Sequence, residues 1–258
     1  MTTEAMPTAA PRKRARWPWI VLIVVVLLAV LAVAAELIAR SVVPSTVRSL
    51  VIDELGLPAD QQLDVEATGM LLPQLLAGSL DELRLSSDDV TIEGITGAAE
   101  VTATGVPLRG GALGSAEGTV SIDQSQFAAL LEGSDLPITE VTLDEPDVTV
   151  HGGIPVLGRE IPLALTVTAG ADEGDLLLTP VSVAVAGNEV DIQRLAALFG
   201  STGEALAGTH RVCIADQLPA GMTLTGLRVD GSRVVADISV DGRIATDESL
   251  LDPGTCPR

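Results

Sequence analysis

A run of nineteen uncharged residues, Trp17 to Ala35, stands directly behind the basic cluster Arg12, Lys13, Arg14 and Arg16. As a helix it is roughly 28 Å long at 1.5 Å per residue, close to the hydrocarbon thickness of a bilayer. The positive charges precede it and Glu36 is the first charge beyond it. That asymmetry predicts a short basic cytoplasmic tail, residues 1–16, and an exported remainder. Trp17 and Trp19, the only tryptophans, fall where interfacial aromatics lie. Ala32-Val33-Ala34 also fits the small-x-small pattern of a cleaved signal, after which the protein would be secreted. The length of the run favours a retained single-pass helix over residues 17–39. In both readings residues 40–258 form a domain outside the cytoplasm.

The chain has no Tyr and only two phenylalanines, Phe127 and Phe199, so its core must be aliphatic. Residues 41–258 carry ten arginines and no lysine against 33 carboxylates, a net charge of −23. Such a charge disfavours electrostatic capture of nucleic acid or of anionic membrane surfaces, and we expect no nucleic-acid partner. The charge serves solubility. Cys213 and Cys256 are the only cysteines. In an exported chain an even pair reads as a disulfide, here tying the C-terminal tail to the segment before the last hairpin.

Past the apolar run, Val43, Val47, Leu50, Val51 and Leu55 recur at helical spacing, with Pro44 suited to the first turn of a second helix. Strand-like segments rich in Val, Thr and Ile follow. Several change facing part-way: Leu83 and Leu85 against Val90 and Ile92, Val101 and Ala103 against Val106 and Leu108 across Gly105. Val141 and Leu143 give way to Val148 and Val150 across Glu145-Pro146, and Leu224 to Leu227 across Gly226. Phase breaks at Gly or Pro predict bulged, curved antiparallel strands. Ile161, Leu163, Leu165 and Val167 alternate cleanly, and Asp230-Gly231 predicts a tight hairpin. Helices are expected over Gln124–Glu132, between Asp123 and Gly133, and over Ile192–Phe199, between Asp191 and Gly200. The fold class is therefore α+β: a long curved antiparallel sheet wrapping amphipathic helices, preceded by one N-terminal transmembrane helix.

No catalytic signature is present: no nucleophile elbow, Walker loop, dinucleotide fingerprint or zinc spacing. His151, beside Gly152-Gly153, reads as a turn residue, and Asp144-Glu145-Asp147 and Asp172-Glu173-Asp175 lack calcium-loop spacing. We expect no enzyme activity, metal or cofactor. The crowded apolar segment Met70, Leu71, Leu72, Leu75, Leu76 around Pro73 fits either a buried turn or the lip of a lipid pocket. The helix stripes Phe127, Leu130, Leu131 and Leu195, Leu198, Phe199 fit either core packing or the groove side of the same pocket.

Gly69-x-x-x-Pro73-x-Leu75-Leu76-x-Gly78, then Val90-x-Ile92, Val106-x-Leu108, Gly118-x-Val120-x-Ile122 and Phe127-x-x-Leu130-Leu131, resemble the LmeA-like phospholipid-binding family of actinobacterial envelope proteins. Leu218-Pro219-x-Gly221-Met222 and the following Leu224, Leu227, Val229 and Gly231 resemble that family's C-terminal hairpin. The resemblance spans about residues 45–242. It implies an exported domain, related in shape to tubular lipid-binding proteins, that binds the acyl chains of a phospholipid or lipid-linked envelope precursor in the periplasm. It also leaves carrier and holder open. The alternative is an envelope scaffold whose aliphatic core is purely structural and which binds a protein partner.

Overall fold

The computed structural model describes residues 17–55, 58, 61–92, 95–132, 138–156, 159–200, 204 and 207–256. The basic tail, Gly56 and Gly133 lie outside them. Helix α1 runs from Trp17 to Leu55. It is the one helix among the described residues long and apolar enough to cross a membrane. Beyond it come β1 (Asp64–Ala67), α2 (Leu71–Ala77), β2 (Ser79–Ile92), β3 (Ile95–Pro107), β4 (Ser115–Asp123) and α3 (Gln124–Glu132). Next are β5 (Ile138–Asp144), β6 (Asp147–Val156), β7 (Arg159–Asp172), β8 (Asp175–Val185), β9 (Asn188–Asp191) and α4 (Ile192–Phe199). The chain closes with β10 (His210–Cys213), β11 (Met222–Asp230), β12 (Arg233–Val240) and three single 3₁₀ turns.

The sequence predicts a break at Pro44, but α1 continues through it. Proline removes one backbone donor from a helix interior. Tertiary packing offsets that loss: Ala39, Val43 and Val47 form one face that packs against Leu71, Leu80 and Leu83. The lower, exposed part of α1 therefore continues without interruption into a part built into the domain.

The strands form two antiparallel sheets rather than one. The first has the order β1-β2-β3-β4-β12-β11, and the second β10-β8-β7-β6-β5 with β9 on β8. The chain leaves the first sheet through α3 and returns after β10, and β11 packs against β7 and β8 to join them. Pleating explains the composition of the strands. In the second sheet Val141, Val150, Leu165 and Val183 are successive cross-strand neighbours on one face. Thr142, Thr149, Thr166 and Ser182 occupy the other, where the Thr149 and Thr166 hydroxyls hydrogen-bond at 2.9 Å.

Two of the predicted phase breaks are register shifts, between Ser87 and Val90 in β2 and between Leu224 and Gly226 in β11. At Gly105 the facing changes without a slip, through a φ of +57° that disfavours any side chain. Glu145-Pro146 is different. It is the two-residue turn of the β5–β6 hairpin, not a kink within a strand, and Val141 and Leu143 pair with Val150 and Val148 across it. A proline cannot donate to a ladder, which explains its place in the turn. The last hairpin turns on Gly231-Ser232, one residue later than expected, because Asp230 still pairs with Arg233.

Helices α3 and α4 have the predicted bounds, and the Asp191 carboxylate accepts the Arg194 N–H at 3.0 Å. Phe127 and Ala128 of α3 pack on a core of Val141, Leu143, Val148, Val229 and Val234 that joins both sheets. Near the other end of the first sheet, Gly242 is pressed onto the backbone of Leu113. A methyl group there would lie 2.1 Å from the Leu113 carbonyl oxygen, and Leu113 N–H already donates to the Gly242 carbonyl at 2.8 Å. Because neither atom belongs to a flexible side chain, Gly242→Ala should cost about 3 kcal/mol in a denaturant titration. An unchanged midpoint would show that this contact yields freely.

Candidate binding cavity

The inner face of the second sheet is not fully covered. Between it and the β11–β12 hairpin lies a cavity of about 570 Å³, within the range of small-molecule sites. Its floor is the alternating apolar face of three strands: Val148 and Val150 from β6, Leu163, Leu165 and Val167 from β7, and Leu176 and Leu178 from β8. The opposite wall is Leu227, Val229 and Val234, and Phe127 reaches in from α3. Gly152 occupies the β6 position paired with Leu163, so bare backbone lines the space where a side chain would fill it.

Among the lining residues, His151 and Arg228 carry polar side chains, and the Arg228 guanidinium is bonded to the Asp237 carboxylate. The lining is otherwise almost wholly aliphatic, and such cavities are poor hosts for water. Nor is the site closed. Leu165 is 40% exposed, and the apolar face runs outward from it through Val183 to Val190, which is 39% exposed. Cavity and exposed ladder together form a groove, suited to a long flexible apolar ligand with one end in water.

Of the residues weighed for function in the sequence, Phe127 and His151 are among those lining this cavity. The helices carrying Leu130, Leu131, Leu195, Leu198 and Phe199 are in place, but those side chains lie outside the described residues. The α2 segment is elsewhere, packed on β2 and α1. Leu71 is buried and Leu72 and Leu75 half-buried, whereas Met70 and Leu76 are 69% and 84% exposed. His151 is in strand β6, not a turn, because Gly152 and Gly153 continue the ladder opposite Leu163 and Pro162. The β6–β8 floor was missed as a site. Its signal was the Gly152-Gly153 pair inside a strand, together with the clean alternation of Ile161–Val167.

The acidic clusters sit at hairpin tips. Arg211 pairs with Asp172, Glu173 and Asp175, and Thr168 donates to the Asp147 carboxylate at 2.5 Å. Among the described residues no three His, Cys, Asp or Glu side chains are grouped to hold a metal ion. Cys213 and Cys256 stand at disulfide distance, with Cα atoms 5.8 Å apart.

No curated protein and no solved structure matches the chain. A family match does exist, to LmeA-like phospholipid-binding proteins, over residues 33–239. It covers α1 from Val33, both sheets and nearly all of the last hairpin, and so includes every wall of the cavity. The chain therefore belongs to the LmeA-like phospholipid-binding family.

Proposed function

We propose that the protein is a non-enzymatic lipid binder of the cell envelope, held to the membrane by residues 17–39, with residues 40–258 outside the cytoplasm. Its ligand is a phospholipid or lipid-linked precursor whose acyl chain lies in the groove between the second sheet and the β11–β12 hairpin. The observation that carries this reading is the aliphatic cavity of about 570 Å³ inside the region matched by a phospholipid-binding family. Apolar burial supplies the affinity. At about 0.8 kcal/mol per CH₂, eight methylenes out of water contribute roughly 6 kcal/mol before ordering costs. The groove's open end leaves a headgroup in solvent and allows the lipid to be passed on.

Native mass spectrometry of a chain beginning at Ala35, purified without detergent, tests the reading. We expect about one phospholipid mass per chain. A lipid-free chain that also takes up no phospholipid from vesicles would leave the apolar groove without its ligand and favour a scaffold role.

A further inference from the structure

We propose that α2, together with the turn at Leu108, is a bilayer-contact surface that sets the domain's posture on the membrane. The proposal rests on the reading of α1 as a membrane helix and adds a second point of contact. Glu36 is the first charge after the nineteen-residue uncharged run, so it marks the level at which α1 leaves the hydrocarbon. Its carboxylate accepts the backbone N–H groups of Leu71 and Leu72, both at 3.0 Å, and the Arg40 Nε–H at 3.0 Å. Arg40 also donates to the Gly69 carbonyl at 3.1 Å. These bonds clamp the start of α2 to α1 at the membrane surface.

The direction of the first sheet agrees. Arg48, about 18 Å further along α1 at 1.5 Å per residue, donates to the Gln61 carbonyl, and Gln61 in turn bonds Ser87 and Asp89. Strand β2 therefore runs outward from the membrane, with its beginning beside α2. At that same end Leu108 N–H donates to the Gly78 carbonyl at 3.0 Å, and the Arg109 guanidinium lies beside Gly78.

Met70, Leu76 and Leu108 are 69%, 84% and 41% exposed at this end, although the clamp has brought them to the level of the lipid headgroups. Single exposed apolar residues are ordinary. Three at the foot of a membrane helix, with Arg109 making no ion pair among the described residues, match an interface that is apolar below and anionic at phosphate height. The occupant is the bilayer into which α1 runs. Met70 and Leu76 enter the acyl boundary, and Arg109 faces phosphate.

The test uses the full chain in vesicles of phosphatidylcholine and phosphatidylglycerol. Because the native cysteines are paired, a single cysteine at Leu76 can carry an environment-sensitive fluorophore. Lipids with a nitroxide high on the acyl chain should quench it at least two-fold. The same label at Ser232, in the turn at the far end of the first sheet, should stay unquenched, and one at Leu28 should be quenched by a deep nitroxide. If Leu28 responds while Leu76 behaves like Ser232, the anchor stands and the contact surface is wrong. If Leu28 fails to respond, the anchor reading falls and takes this proposal with it.

Discussion

Replacing Leu165 with tryptophan should reduce phospholipid retention at least ten-fold, a change of about 1.4 kcal/mol, and leave the fold intact. Leu165 lines the cavity yet is 40% exposed, so a larger side chain there extends into open space and not into packed neighbours. The indole would fill the room proposed for an acyl chain. The lipid-free melting temperature should move by less than about 3 °C, the shift that 1 kcal/mol produces in a chain of this size. Val141→Trp provides the contrast. Val141 is 2% exposed within the core shared by both sheets and lies outside the cavity lining, so overpacking there should cost about 1–3 kcal/mol or more. Lipid retention and stability should thus separate at Leu165 and fall together at Val141. Normal lipid content in Leu165→Trp would remove the groove from the account of binding, whatever its effect on melting.

The contrast between these two positions also explains how far the sequence could be read. Helices α3 and α4 were legible to the residue because their limits are chemical: Asp191 caps the latter through its carboxylate, and Gly200 follows its last turn. The bulge before Gly226 was legible because a change of parity must be absorbed somewhere. Glu145-Pro146 shows the limit of that argument. A parity change across two residues fits a bulge or a hairpin turn equally, and only pairing partners distinguish them. Pro44 was misread for a related reason, since propensity is local and the face of Ala39, Val43 and Val47 that holds α1 together is not.

The site was harder still. The alternation of Leu163, Leu165 and Val167 announces an apolar face but not what covers it, and the cavity exists because the β11–β12 hairpin covers only part. The exposed α2 residues pose the opposite case. Met70 and Leu76 looked like a pocket lip from composition, and their position beside Glu36 is visible only once α1 and α2 are folded together.

Removing the Cys213–Cys256 link should be the most destabilising change available outside the core. The pair closes a loop with a sequence separation of 43, for which the chain-entropy model gives about 4 kcal/mol. What that loop contains matters for function. Cys213 ends β10, an edge strand of the second sheet paired to β8, which carries Leu176 and Leu178 of the cavity floor. The enclosed chain includes β11 and β12, which carry Leu227, Val229 and Val234 of the opposite wall. The link therefore joins both walls through the tail, which is otherwise held by backbone bonds from Ala220 to Asp252 and from Gly254 to Leu218. A Cys213→Ser, Cys256→Ser double variant should unfold in guanidinium about 4 kcal/mol earlier than the oxidised chain, with lipid retention falling alongside. Reductant should bring the wild-type chain to the variant's midpoint and leave the variant unmoved. Made without residues 1–34 in a reducing cytoplasm, the wild-type chain should show two free thiols and that same lower midpoint, because the bond persists only in an oxidising compartment. A double variant as stable as the oxidised chain would mean that the tail's backbone bonds and the pairing of β12 with β4 already hold the walls together.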